Sequence, residues 1–80
     1  MIGIMWFEKE ITPAARIRHA AKRFQEKLGK HPDTAIVPVS DVEKLGETIR
    51  LDEEEITVFV VGARYIQKNQ VFVGIDESGL

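Results

Sequence analysis

Short apolar runs of strand length recur along the chain and predict a sheet. The first run covers residues 2–7 and is apolar on both faces, which indicates burial or a partner. One face carries Ile2, Ile4 and Trp6, and the other carries Met5 and Phe7. Four further strands are predicted at residues 35–39, 48–51, 56–61 and 71–75. The runs at 56–61 and 71–75 are the richest in β-branched and aromatic residues, so we expect them at the centre of the sheet.

One longer segment has helical spacing and predicts the main helix over residues 13–28. Thr12 can cap its first turn, and Pro13 suits the first helical position because its missing N–H costs no hydrogen bond there. Gly29 fits the left-handed cap at the end of the helix. The expected core face consists of Ala14, Ile17, Ala20, Ala21, Phe24 and Leu28.

A second, short helix is expected at about residues 41–45. Ser40 and Glu43 have the spacing of a capping box, and Gly46 ends the helix. Pro38 cannot donate to a sheet ladder, so the preceding strand either lies at an edge or ends there.

These elements occur in the order βαβ(α)βββ and predict a single α+β domain over residues 1–80. The expected sheet is mixed, with about five strands, and both helices cover one of its faces. If the first two strands are parallel neighbours, the helix that connects them makes a right-handed crossover.

The second face of this sheet would expose more apolar side chains than a solvated face carries. We therefore expect an interface, with a homodimer as the favoured assembly. Its predicted residues are Trp6, Phe59, Val61 and Phe72. The alternative is that the 62–70 loop or the C-terminal tail of the same chain covers this face.

Charge is distributed unevenly. Residues 9–31 hold seven Lys and Arg residues against two acids, a net +5, whereas residues 32–80 hold four against ten, a net −6. The helical cations are candidates for contact with an anionic partner, including nucleic acid. They are Arg16, Arg18, Lys22, Arg23 and Lys27. The alternative is a solvated helix surface whose charges pair with the acidic residues 52–55 of the same or a neighbouring molecule.

The segment 62–70 is the longest irregular stretch, and its mixture of cationic, aromatic and amide side chains is typical of recognition loops. Arg64, Tyr65 and Lys68 are the candidate contacts. The alternative is an ordinary connection in which Tyr65 and Ile66 pack beneath the sheet.

Motifs for catalysis or cofactors are weak. His31 lies in a loop with Lys30 and Asp33, but glycine and proline explain that loop as a helix end. With two histidines and no cysteine, the chain predicts no metal site and no disulfide, and no glycine-rich phosphate motif predicts a cofactor. Without a signal-like or membrane-spanning segment, we expect a cytoplasmic location.

The resulting functional hypothesis is a small noncatalytic interaction or assembly module that self-associates through its apolar sheet face. The alternative is an accessory nucleic-acid-binding protein that uses the helix at 13–28. An enzyme ranks third, with a pocket beside His31 as its signature.

Overall fold

The computed structural model describes residues 2–51 and 56–76. Within these residues it contains two helices and one mixed five-stranded sheet, which confirms the predicted α+β fold. The elements in chain order are β1 (Ile2–Phe7), α1 (Pro13–Leu28), β2 (Thr34–Val37), α2 (Val39–Leu45), β3 (Thr48–Leu51), β4 (Ile56–Gly62) and β5 (Gln70–Ile75). The acidic segment 52–55 and the C-terminal residues 77–80 lie outside the described residues.

The strand order β1-β5-β2-β4-β3 places β2 at the centre of the sheet. β2 and β4 are parallel, whereas β1–β5, β2–β5 and β3–β4 are antiparallel. The first two strands are therefore not neighbours, because β5 lies between them. β4 and β5, expected at the centre, flank β2 instead. Pro38 follows the last residue of β2, so it ends a central strand and does not mark an edge.

α1 forms where its sequence signals predict it. The Thr12 hydroxyl accepts a hydrogen bond from the Ala15 N–H at 3.1 Å, and Pro13 is the first helical residue. At the other end Gly29 has a φ of 69°, and its N–H donates to the Gln25 carbonyl at 2.8 Å. The predicted core face holds through Phe24, which is fully buried, but Leu28 is 43% exposed. The core contact of α1 therefore ends a turn before the helix does.

The two helices form one layer over one face of the sheet. α1 contacts β1, β5 and α2, and α2 also contacts β4. Between this layer and the sheet lies a cluster of small and medium apolar side chains. Its buried members are Ile17, Ala20, Phe24, Ala35, Val37, Val58, Val60, Val71 and Val73.

The start of α2 differs from the predicted capping box. The helix begins at Val39 with Pro38 in the capping position, and no side chain caps it. Ser40 and Glu43 are exposed. Pro38 has an extended ψ of 143°, as a capping residue does, and the helix begins at Val39, one residue before the serine. Asp41, in the first turn of α2, extends toward α1 and contacts Arg16.

Arg16 joins four separate segments at one end of the sheet, and it is only 4% exposed. Its Nε–H donates to the Glu8 carbonyl at 2.8 Å, and its Nη2 donates to the Ile11 carbonyl at 3.2 Å and to Asn69 Oδ1 at 3.3 Å. Its Nη1 lies 3.6 Å from Asp41 Oδ2. The planar fork of a guanidinium supplies these donors in different directions at once. The side chain thus connects the β1–α1 loop, α1, α2 and the turn before β5.

We predict that Arg16→Met lowers the free energy of unfolding by about 2 to 4 kcal/mol, because it leaves Asp41 and two carbonyl groups without their donor. Arg23→Met is the matched control, since the Arg23 side chain is 49% exposed on the same helix, and it should change stability by less than about 0.5 kcal/mol. Urea denaturation of both variants measures the difference. Equal stabilities of the two variants would show that Arg16 does not connect these segments.

Candidate interaction surfaces

Six apolar side chains lie on the sheet face opposite the helices, and we call this surface the open face. They are Met5, Phe7, Ile36, Phe59, Val61 and Phe72. Alternation along β4 shows the two sides of the sheet, because Val58 is fully buried under the helices whereas Phe59 is 58% exposed. Met5, Phe7 and Val61 are also about half exposed, at 50, 55 and 47%. The described residues leave these side chains largely accessible to solvent.

The register of the strands joins the open face into a continuous surface. Met5 pairs with Phe72, Phe72 pairs with Ile36, and Ile36 pairs with Val61. These pairs form one apolar row across four neighbouring strands. Directly paired side chains lie about 4.5 to 5.5 Å apart, so the row is a contiguous patch.

A glycine pair brings β1 and β5 close together beside this row. Gly3 lies opposite Gly74, and a Cβ atom on Gly74 would overlap the Ile2 carbonyl oxygen. A Cβ atom on Gly3 would lie 2.7 Å from ring carbons of Phe72. The Phe72 ring therefore occupies the space above Gly3, which explains why Phe72 is only partly exposed.

The predicted interface residues fall on two different faces. Phe59, Val61 and Phe72 belong to the open face, but Trp6 lies on the helix side, where it is partly buried against the core. Trp6 is paired with Val71, which is 1% exposed beneath α1. Strand alternation puts Met5 and Phe7 on the open face and Trp6 on the opposite one, so Trp6 does not share a face with the other three predicted interface residues.

The five predicted anion-binding residues of α1 do not form one surface. Arg16 is buried and satisfied by groups of the protein itself, so its environment does not suit contact with an external anion. Arg18 is partly buried, whereas Lys22, Arg23 and Lys27 are exposed. Arg23 lies 3.6 Å from Glu26 Oε2, one helical turn away.

A groove of about 450 Å³ runs between β1 and the outer side of α1. It is lined by Trp6, His19, Lys22, Arg23 and Glu26. His19 is not among the interaction residues predicted from the sequence. The groove could have been predicted from the spacing of residues 19, 22, 23 and 26 (i, i+3, i+4 and i+7), because this spacing puts them on one side of α1.

Glu8 connects the two walls of the groove. The Trp6 Nε1–H donates to Glu8 Oε1 at 3.0 Å, and His19 Nδ1 lies 2.8 Å from the same oxygen. The hydrogen bond with His19, followed by that from Trp6, lowers the pKa of the Glu8 carboxyl group. The network holds the indole ring of an edge strand against the helix.

The predicted recognition loop leaves its three candidates in solvent. Arg64 and Lys68 are exposed and Tyr65 is 74% exposed, whereas Ile66 is 3% exposed. Of the two residues that the alternative reading packs beneath the sheet, Ile66 alone is buried. Asn69, in the left-handed region at a φ of 67°, ends the loop and contributes its side chain to Arg16.

Within residues 2–51 and 56–76, no three His, Asp or Glu side chains converge in a way that can hold a metal ion. The helices of the described part of the chain are too short or too polar to cross a membrane. His31 is partly buried, and the groove described above lies beside His19 and not beside it.

No protein-family model matches the chain, and no curated protein or solved structure shows significant similarity to it. A function for this chain is therefore inferred from its own surfaces.

We predict that replacing His19 with Ala raises the pKa of Glu8 toward that of an unfolded glutamate, about 4.3. Because folding lowers this pKa, Glu8 stabilises the fold above about pH 4.3, and its contribution disappears as the pH falls through the folded value. A carboxyl carbon titration by NMR measures the shift. His31→Ala is the control and should leave Glu8 unchanged; an identical Glu8 titration in all three proteins would contradict the network.

Proposed function

We propose that this protein is a noncatalytic assembly module that forms a homodimer through the open face. The observation that supports this proposal is the apolar row Met5–Phe72–Ile36–Val61, which crosses four strands. Met5 and Val61 are about half exposed, and Phe72 and Ile36 are partly exposed. Antiparallel and mixed sheets with one solvated face normally alternate apolar and polar side chains. This sheet carries apolar side chains on both faces.

The size of the open face suits a dimer. Strands of four to seven residues, about 4.8 Å apart and rising about 3.3 Å per residue, give a projected area of about 400 Å². The accessible area exceeds the projected area, so two copies together reach the roughly 1,000 Å² expected of a specific interface. A second sheet would pack about 10 Å away, as in β-sandwiches.

The distribution of charge favours a second copy as the partner. The apolar row and the neighbouring row contain no charged residue, so a second copy packed on these two rows brings no like charges together within them. Two cations flank the rows, Arg50 on β3 and Lys9, whose Nζ lies 5.8 Å from the centre of the Phe7 ring. The neighbouring row consists of Gly3, Gly74, Thr34, Phe59 and Thr48. The same arrangement keeps the two basic α1 helices on opposite outer sides. Two sheet layers then separate them by more than the Debye length of about 8 to 10 Å.

Nucleic-acid binding through α1 has less support. Of its five predicted contacts, Arg16 is buried and Arg23 already has Glu26 as a partner. The exposed loop residues Arg64, Tyr65 and Lys68 remain candidates for a further protein contact. The absence of cysteine is consistent with a cytoplasmic location, which stays a prediction.

We predict that sedimentation equilibrium finds a particle of twice the 9.1 kDa chain mass at micromolar concentrations. Phe59→Asp should convert it to a folded monomer, because a carboxylate would be buried without a partner in the dimer but remains solvated in the single chain. The side chain is 58% exposed, so the substitution spares the core.

Tyr65→Asp is the matched control, since it introduces the same charge at a residue that is 74% exposed but lies outside the sheet. It should leave the mass unchanged. A natural chain that stays at 9.1 kDa up to high micromolar concentration refutes the proposed dimer.

A further inference from the structure

β1 is an edge strand with one side available for pairing. It pairs with β5, and no other strand of the described residues lies beside it. The Glu8 N–H donates to the Asn69 carbonyl at 3.0 Å, which continues the β1–β5 register. Since alternate residues of an antiparallel strand point their backbone groups to opposite sides, those of Gly3, Met5 and Phe7 point toward the free edge.

The two edges of the sheet differ in their protection against pairing. β3, at the opposite edge, is four residues long, includes Arg50, and precedes the acidic sequence 52–55. β1 is six residues long and contains neither a charged residue nor a proline. Natural proteins protect free edges with charge, proline or short length. β1 has none of these devices and is therefore the edge suited to an additional strand.

The groove lies beside this edge. α1 packs over β5 and β1, and the side chains of His19, Lys22 and Arg23 line the groove together with Trp6. A strand added about 4.8 Å beyond β1 would direct every second side chain into this groove. Its other side chains would lie beside Met5 and Phe7 on the open face.

The groove selects the chemistry of that strand. Its charged lining consists of two cations, Lys22 and Arg23, and one carboxylate, Glu26, which lies 3.6 Å from Arg23. The Glu8 carboxylate between the walls is already engaged by Trp6 and His19, so Lys22 is the lining cation that an incoming acidic side chain would meet. Acidic side chains entering the groove are complementary to it, whereas apolar side chains suit the half-exposed Met5 and Phe7 on the other side. A second copy of β1 fits less well, because twofold pairing at this edge would bring the Lys22 and Arg23 sets of two α1 helices toward each other.

We propose that the free edge of β1 binds an extended peptide segment with alternating acidic and apolar residues as a sixth strand. Its acidic side chains enter the groove between β1 and α1. Main-chain hydrogen bonds to Gly3, Met5 and Phe7 supply affinity, and the groove supplies specificity, as in other cases of strand addition. This site adjoins the proposed homodimer interface at Met5 and Phe7, but the free backbone edge of β1 and the groove are not part of that interface, so each site can form without the other.

A capped (Glu-Val)4 octapeptide is the probe, and (Lys-Val)4 is its charge-reversed control. In an NMR titration of the natural protein, (Glu-Val)4 should slow amide hydrogen exchange at Gly3, Met5 and Phe7 and shift the Trp6 indole signal. (Lys-Val)4 should bind at least about tenfold more weakly. A (Glu-Val)4 peptide N-methylated on alternate residues should lose this protection, because it cannot complete the ladder.

The double variant Lys22→Glu with Arg23→Glu should weaken (Glu-Val)4 binding about tenfold and strengthen (Lys-Val)4 binding. Lys27→Glu with Lys30→Glu changes the net charge equally on exposed residues outside the groove lining, and it should change affinity by less than about threefold at physiological salt.

Equal affinity for the two peptides, peptide contacts at β3, or no protection at Gly3, Met5 and Phe7 would each overturn the proposal. Protection of these amides that rises with protein concentration without peptide also overturns it, because a second copy then occupies the edge. The native mass is measured separately. It tests whether the homodimer forms, and it does not test peptide binding at the β1 edge.

Discussion

One layer of helices can cover only one face of a sheet that is apolar on both faces, and the rest of the structure depends on this constraint. α1 and α2 pack together over the side that carries Val58 and Val73. The reverse side, with Phe59 and Met5 about half exposed, has no comparable layer among the described residues. Because moving apolar side chains out of water lowers the free energy, the uncovered side favours association.

Local patterns predicted the elements well because their causes are local. The Thr12 cap, Pro13 and Gly29 define α1 within a few residues, and alternation placed Phe59 opposite Val58 correctly. Strand order was harder to predict from the sequence, because the position of β5 between β1 and β2 depends on contacts between distant parts of the chain. The start of α2 was predicted too late because Pro38, and not Ser40, occupies the capping position; its end at Leu45 was predicted correctly.

Side chains whose roles depend on distant partners were misjudged from sequence. Arg16 was grouped with the surface cations, but its partners come from Glu8, Asp41 and Asn69, which no local pattern connects. Trp6 was grouped with Phe59, Val61 and Phe72, although its alternation with Met5 puts it on the other face of β1. Both residues serve the same end, because they fix the edge strand and its loop against α1.

The most direct test of the account is a filtered NMR experiment on a mixture of labelled and unlabelled chains, which detects contacts between copies only. If the open face is the interface, we expect intermolecular contacts among the Met5 methyl group and the Phe59 and Phe72 rings. Intermolecular contacts confined to α1 residues, or none at concentrations where the copies associate, would contradict it.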